Sequence, residues 1–346
     1  MKKQAKFLVC GIVVLLLALV CAVSVAAGPL SPVKPPEFQL PRPNAVWGTA
    51  WVPILRGQTL TFTHNLGGDP DDYAVELLFL DLDDGMGINR AYYGGMEVNG
   101  QWYGAHWENL TSNTIQVYRH TDDTAADLIR LRVWGPLDPP DYDSGWLDVS
   151  QGETITLSHG VGVTATDLTV GLWFSGTVRG IHQFGFGGLG VDGPQQMLGA
   201  HWQNLTDSTV EVIRHPNDTD VEQVRMIVVH GTEPDYDSLE ELGDWQDVAA
   251  GDVYTFTHNL NWSPNMLLIR GECYDSSGMR GIHMLFAGGN HDWFNGGQYQ
   301  GVHLQNITGN SVTVFRQPED EFCPQVRLRI WKRSLMIYLP LLNKES

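Results

Sequence analysis

The sequence predicts an all-β protein built from three tandem antiparallel β-sandwich (or small barrel) modules of about 85 residues. Three observations predict it. A single stretch is written three times, as GAHWENLTSNTIQVYRH (104–120), GAHWQNLTDSTVEVIRH (199–215) and GVHLQNITGNSVTVFRQ (301–317). Within each copy, apolar and polar residues alternate with a period of two, the spacing that puts successive side chains on opposite faces of a strand. Between the alternating runs stand Gly, Asn and Asp turns, and no window carries a helical period.

The chain begins MKKQAK, runs apolar from Phe7 to about Val25 and reaches small residues before Gly28. That order reads as a secretory signal peptide over 1–27, with an uncleaved N-terminal anchor as the alternative. Export places the protein outside the cell or on its surface. Removing Lys2, Lys3 and Lys6 leaves 18 basic against 40 acidic residues, a balance of −22. Such a chain repels nucleic acid and anionic membranes, so neither is expected as a partner once the signal is cleaved. Residues 28–48 carry six prolines between Pro29 and Pro43 and are expected to form an extended spacer.

The repeats are expected over 49–135, 146–231 and 245–332, followed by a tail at 333–346. Trp51, Trp146 and Trp245 each stand six residues before a Gly and thirteen before His64, His159 or His258. Arg119, Arg214 and Arg316 follow His106, His201 and His303 by thirteen, and Arg130, Arg225 and Arg327 follow by eleven more. Between copies, LDPPDYDSG (137–145) and TEPDYDSLEELGD (232–244) read as exposed, stiff linkers. Their Asp pairs lack the six or more oxygens that Ca²⁺ prefers.

Within a copy, TLTFTHNL (59–66) sets Leu60, Phe62 and His64 on one face. TIQVYRH (114–120) alternates Ile115, Val117 and Arg119 against Thr114, Gln116 and Tyr118. LIRLRVW (128–134) is expected to bury Ile129, Leu131 and Val133 while exposing Arg130 and Arg132. The Asn-x-Thr triplets at 109, 204 and 306 are formal glycosylation sequons. They also fall where Asn and Thr side chains close a turn between two strands.

The recurring polar residues divide by role. Arg119, Arg214 and Arg316 each precede an acid by four (Asp123, Asp218, Asp320), which suits a charge-assisted clamp on the following loop, with ligand contact as the alternative. Cys273 and Cys323, the two cysteines outside the signal, are expected to form a disulfide supporting the third copy alone. His106, His201 and His303 alternate with Trp107, Trp202 and Leu304. If the large apolar residue fills the core, the His faces solvent and is free to meet a ligand. Histidines in each copy raise a Zn²⁺ hypothesis, but separations of 42 or 45 residues match no local metal motif, so neither metal nor other cofactor is expected.

The variable stretches are MEVNGQWY (96–103), LGVDGPQQML (189–198) and NHDWFNGGQYQ (290–300). They present Trp102, Tyr103, Trp293, Phe294 and Tyr299 on loops over a constant scaffold, where binding residues concentrate and flat aromatic faces suit sugars. No Gly-x-Ser-x-Gly elbow, His-Glu-x-x-His or phosphate-cradling loop is present, so no enzyme is expected.

FTHNLGGDP (62–70), the extended strand beyond it, the irregular middle and the closing strands resemble the short β-sandwiches of H-type lectins and phage tail-fibre tips. The resemblance implies glycan binding. Because H-type lectins assemble as trimers, it also implies pseudo-trimeric packing of the three repeats. It contains no sugar-binding motif, so no binding residue is carried over. The ending MIYLPLLNKES (336–346) resembles tails of secreted proteins in some environmental bacteria. The expected function is therefore lectin-like adhesion to a glycan or cell-surface polymer, the ligand-binding residues being Trp102, Tyr103, His106, His201, Trp293, Phe294, Tyr299 and His303. A structural cell-surface spacer that binds protein, and a metal-dependent hydrolase, are the alternatives.

Overall fold

Period-two alternation becomes two-faced strands. TIQVYR, TVEVIR and SVTVFR alternate half-buried and buried residues without a break, ending each time on a buried arginine. The computed structural model describes residues 45–135, 139–190, 197–231, 233–285, 288–292 and 298–332, all within the compact unit Leu40–Ser346. The signal segment 1–27, the spacer as far as Asn44, the tail 333–346, Trp293 and Phe294 lie outside these residues.

The first copy holds β1 (Ala45–Gly48), β2 (Val52–Pro53), β3 (Thr59–Thr63), β4 (Ala74–Leu80), β5 (Ile88–Asn89), β6 (Met96–Val98), β7 (Gln101–Tyr103), β8 (Ala105–Glu108), β9 (Thr114–Arg119) and β10 (Leu128–Trp134). The second holds β11 (Tyr142–Asp148), β12 (Thr154–Ser158), β13 (Leu168–Gly176), β14 (Gly180–His182), β15 (Leu189–Gly190), β16 (Met197–Leu198), β17 (Ala200–Gln203), β18 (Thr209–Arg214) and β19 (Gln223–His230). The third holds β20 (Tyr236–Asp237), β21 (Gln246–Asp247), β22 (Val253–Thr257), β23 (Leu267–Asp275), β24 (Gly281–His283), β25 (Asn290–Asp292), β26 (Gln298–Gln300), β27 (Val302–Gln305), β28 (Ser311–Arg316) and β29 (Gln325–Lys332).

Each copy pairs these strands in the same order. A larger sheet runs β1-β10-β4-β5, β11-β19-β13-β14 or β20-β29-β23-β24. A three-stranded sheet runs β3-β9-β8, β12-β18-β17 or β22-β28-β27, and a two-stranded ribbon follows as β6-β7, β15-β16 or β25-β26. All of these pairings are antiparallel. In the first copy Leu77, Phe79, Ile129 and Leu131 of the larger sheet pack on Trp107, Ile115 and Val117 of the smaller, filling one sandwich core. Trp202 and Leu304 take the place of Trp107 in the other two cores.

Adjacent copies are stitched by backbone hydrogen bonds in a closed circuit. Asn109 and Leu110 donate to the carbonyls of Arg179 and Ile181 at 2.8 and 3.2 Å, and Gln183 donates back to Trp107 at 3.1 Å. Asn204 and Leu205 donate to Arg280 and Ile282 at 2.8 and 3.3 Å, and Met284 donates to Trp202 at 3.2 Å. Asn306 and Ile307 donate to Met86 and Ile88 at 2.8 and 2.9 Å, and Arg90 donates to Leu304 at 2.8 Å, which returns the third copy to the first.

The Asn-x-Thr triplets build this junction. Their asparagines sit in the left-handed region (φ 50°, 51° and 48°), which Asn tolerates better than most residues. Thr111 Oγ1 accepts from the amides of Asn113 and Thr114, closing the turn, and Asn109 Nδ2 donates to Gln116 at 3.0 Å. A Cβ on Gly180 would lie 3.2 Å from Asn109 Oδ1, so a glycine faces the turn across the junction.

Three expectations are corrected. The PDYDS stretches are not free linkers: Tyr142 and Asp143 belong to β11 on β19, and Tyr236 and Asp237 to β20 on β29. Asp237 then caps a short helix, Ser238–Leu242, which Gly243 ends in the left-handed conformation. These strands cover an otherwise open sheet edge, and Asp143 and Asp237 accept from Arg225 and Arg327 at 2.9 Å. The spacer likewise ends early, because Ala45–Gly48 is a strand on β10. Arg132, expected in solvent, is 1% exposed. Its guanidinium reaches Glu76 and the carbonyls of Asn265 and Leu267, since that face of the sheet abuts the third copy.

Candidate functional site

Most of the recurring polar residues are absorbed by scaffolding. Arg119 Nε donates to Asp123 Oδ2 at 2.8 Å and Nη1 to the Ile54 carbonyl at 2.8 Å. Arg214 and Arg316 repeat this with Asp218 and Asp320 at 2.9 and 2.7 Å, and with the Val149 and Val248 carbonyls at 2.7 Å. The same three aspartates accept from the amides of Gly104, Gly199 and Gly301 at 2.8, 2.8 and 2.7 Å. The glycines opening the first two repeats are fixed by contact as well. A Cβ on Gly104 would lie 1.9 Å from the Tyr92 carbonyl oxygen, and one on Gly199 would lie 2.0 Å from that of Gly185.

The histidines after these glycines do not face solvent. His106, His201 and His303 are 0%, 2% and 5% exposed. Their strand turns one face to its own core and the other to the ribbons and the neighbouring copy, so both faces are covered. His106 lies between Glu108 Oε2 (3.3 Å) and Arg179 Nη1 (3.2 Å), the arginine coming from the second copy. His201 Nδ1 meets His215 Nε2 at 3.1 Å, and His303 Nε2 meets Gln305 at 3.2 Å. Burial pushes all three below the usual histidine range, His303 to about 4, because a charged ring there loses its hydration. His215 falls to about 3 for the same reason. Among the described residues no three His, Cys, Asp or Glu side chains gather to hold a metal ion.

Among the described residues, Trp102, Tyr103 and Tyr299 of the variable stretches converge instead. The ribbons β6-β7, β15-β16 and β25-β26, one from each copy, contact one another. Buried Met96, Val98, Phe184 and Leu189 form a small apolar core, and Tyr92, Trp102, Tyr103, Leu198 and Tyr299 pack half-buried against it. Trp102 stacks on His120 (centroids 5.3 Å, 25°) and lies 6.2 Å from Phe184 of the second copy. Tyr92 sits 6.0 Å from Tyr103 and 6.1 Å from His303 of the third. The rings are held by backbone: Trp102 N–H donates to Asp122 at 2.9 Å and Tyr299 N–H to Glu319 at 2.7 Å. Tyr103 donates its hydroxyl proton to exposed Gln101 at 2.9 Å.

Thus Trp102, Tyr103 and Tyr299 come together, His106 and His303 touch the cluster through Phe184 and Tyr92, His201 packs on His215 instead, and Trp293 and Phe294 fall outside the described residues. Tyr92 and Phe184 are additions that sequence reasoning did not select. Both follow the short edge strand of their larger sheet; Phe184 reaches Trp102 across the junction between copies, and Tyr92 meets Tyr103 within its own copy. No known protein family matches the chain, and neither does any curated protein or solved structure.

Proposed function

We propose that this is an exported, non-enzymatic protein that binds a glycan or related surface polymer through the aromatic cap where the three ribbons meet. One observation carries the reading: Tyr92, Trp102, Tyr103 and Tyr299, from two copies, share a half-buried patch. Half-buried rings offer sugars a flat apolar face without further ordering cost, and carboxylates and amides at the rim suit hydroxyls. The acidic chain favours neutral over acidic polymers. The test is a glycan array probed with the wild-type protein and Trp102→Ala, folding being checked by circular dichroism. The reading expects neutral-glycan signals that the folded variant loses. Equal signals from both proteins, or none from the wild type, would count against it, and a wild type that captures only proteins would favour the structural-spacer role.

A further inference from the structure

The faces of β4, β13 and β23 that turn away from their own cores meet one another at the centre of the three copies. Register fixes three equivalent positions there. Glu76 stands opposite Arg132, Gly171 opposite Ile227, and Arg270 opposite Arg329. The first pair is an ion pair. The third is two cations, an arrangement that strands ordinarily disfavour. Arg329 is relieved by Glu272, which also attracts Arg327 at 3.8 Å, while Arg90 and Arg132 share Glu76. Asp237 completes the pairing of Arg327. Arg270 has no hydrogen bond or ion-pair partner among the described residues. The local arginines thus outnumber the carboxylates in a chain whose overall charge is strongly negative.

Arg270 borders a cavity of about 110 Å³ lined by all three copies. A single water needs about 10–15 Å³ by this measure, so the space admits a polyatomic guest. Four other residues that line it carry an orphaned side-chain atom, and two of those atoms are donors. Trp202 Nε1 and Arg90 Nε find no protein acceptor, and Thr169 Oγ1 and His303 Nδ1 are also unpaired. The Trp202 orphan has a local origin. At the first junction Trp107 Nε1 donates to Tyr93 Oη at 3.0 Å and Gln183 Oε1 at 3.1 Å, but Phe186 and Met284 stand at the matching positions of the second and accept nothing. Desolvation lowers Arg270 only to about 10, so its guanidinium is still charged at neutral pH.

We propose that this central cavity binds a small oxyanion, with Arg270 as its charged anchor. An anion supplies the countercharge that the strand register withholds, and its oxygens accept from groups that find no acceptor in the protein.

The test compares thermal unfolding of the wild type and Arg270→Met in sulfate and in acetate, at an ionic strength matched with MOPS, whose bulk keeps it out. The wild-type midpoint should rise with the logarithm of concentration above Kd in at least one of the two, by about 5 °C at a hundredfold excess over Kd. Arg270→Met should show no such rise while being at least as stable as the wild type in MOPS, since it loses an unpaired cation. Equal wild-type midpoints in sulfate, acetate and MOPS, or the same rise in the variant, would overturn the proposal. Should the variant fail to fold, crystals of the wild type soaked in selenate decide the matter. An anomalous peak beside Arg270 supports the site, and selenate found only on the outer surface refutes it.

Discussion

Leu110 of the first copy and Ile181 of the second face each other as an antiparallel bridge, the Leu110 amide donating to the Ile181 carbonyl at 3.2 Å. Leu205 and Ile282 repeat the contact, and Ile307 with Ile88 closes the circuit. Glycine lies beside each junction, at 180, 281 and 87, with φ of 56°, 54° and 55°. Gly180→Val introduces both a strained backbone and a side chain against Asn109. It should cost about 1–3 kcal/mol in urea unfolding. Because the junctions join all three copies, the wild type should unfold in a single transition; three separable transitions would contradict the closed circuit.

Cys273 occupies the register position held by Phe79 and Phe174, and Cys323 that of Ala126 and Val221. The disulfide, spanning 50 residues, replaces an apolar contact made in the other two copies. Opening it with Cys273→Ala and Cys323→Ala should cost about 4 kcal/mol in the chain-entropy model. The pair Cys273→Phe and Cys323→Ala should recover part of that loss, as measured by urea midpoints. No recovery would show that the third core has adjusted to the bridge alone.

Arg214→Met should destabilise by about 3–5 kcal/mol, because it strands the buried Asp218 carboxylate and the Val149 carbonyl together. Denaturant unfolding checks it. A loss under about 1 kcal/mol would mean the clamp is dispensable.

The buried histidines set an acid limit. Their folded pKa values lie below the unfolded value of about 6.5, so the unfolded chain binds more protons between the two. The stability they contribute is complete above about pH 6.5. It falls as pH drops toward about 4 for His303 and His283 and about 3 for His215 and His182. Each contributes up to about 1.4 kcal/mol per pH unit in its window. The melting temperature should therefore fall steeply below about pH 6. His215→Gln, which imitates Gln317 of the third copy, should flatten that fall. A melting temperature unchanged from pH 7 to 5 would contradict it.

The strands, the turns and the repeated clamp were legible because period-two alternation, Asn-x-Thr and Arg four before Asp are local signals. What escaped was the identity of the second face. Alternation places His106 and Arg132 opposite core residues but cannot distinguish water from a neighbouring copy, so it predicts solvent for both. The PDYDS stretches escaped for a related reason: proline and acid suggest solvent, while their tyrosines and aspartates serve the edge of the next sheet. Of the cap, Trp102, Tyr103 and Tyr299 were visible as loop aromatics. Phe184 joins them through contacts between copies, which no single repeat encodes, while Tyr92 meets Tyr103 within its own copy from outside the variable stretch.

Three copies of a motif suggest three sites, whereas the proposed glycan site, on the one patch where the ribbons converge, would occur once per chain. Titration calorimetry with a glycan identified by the array measures this directly. The account predicts one glycan bound per chain, abolished by Trp102→Ala; three equivalent sites per chain would contradict it.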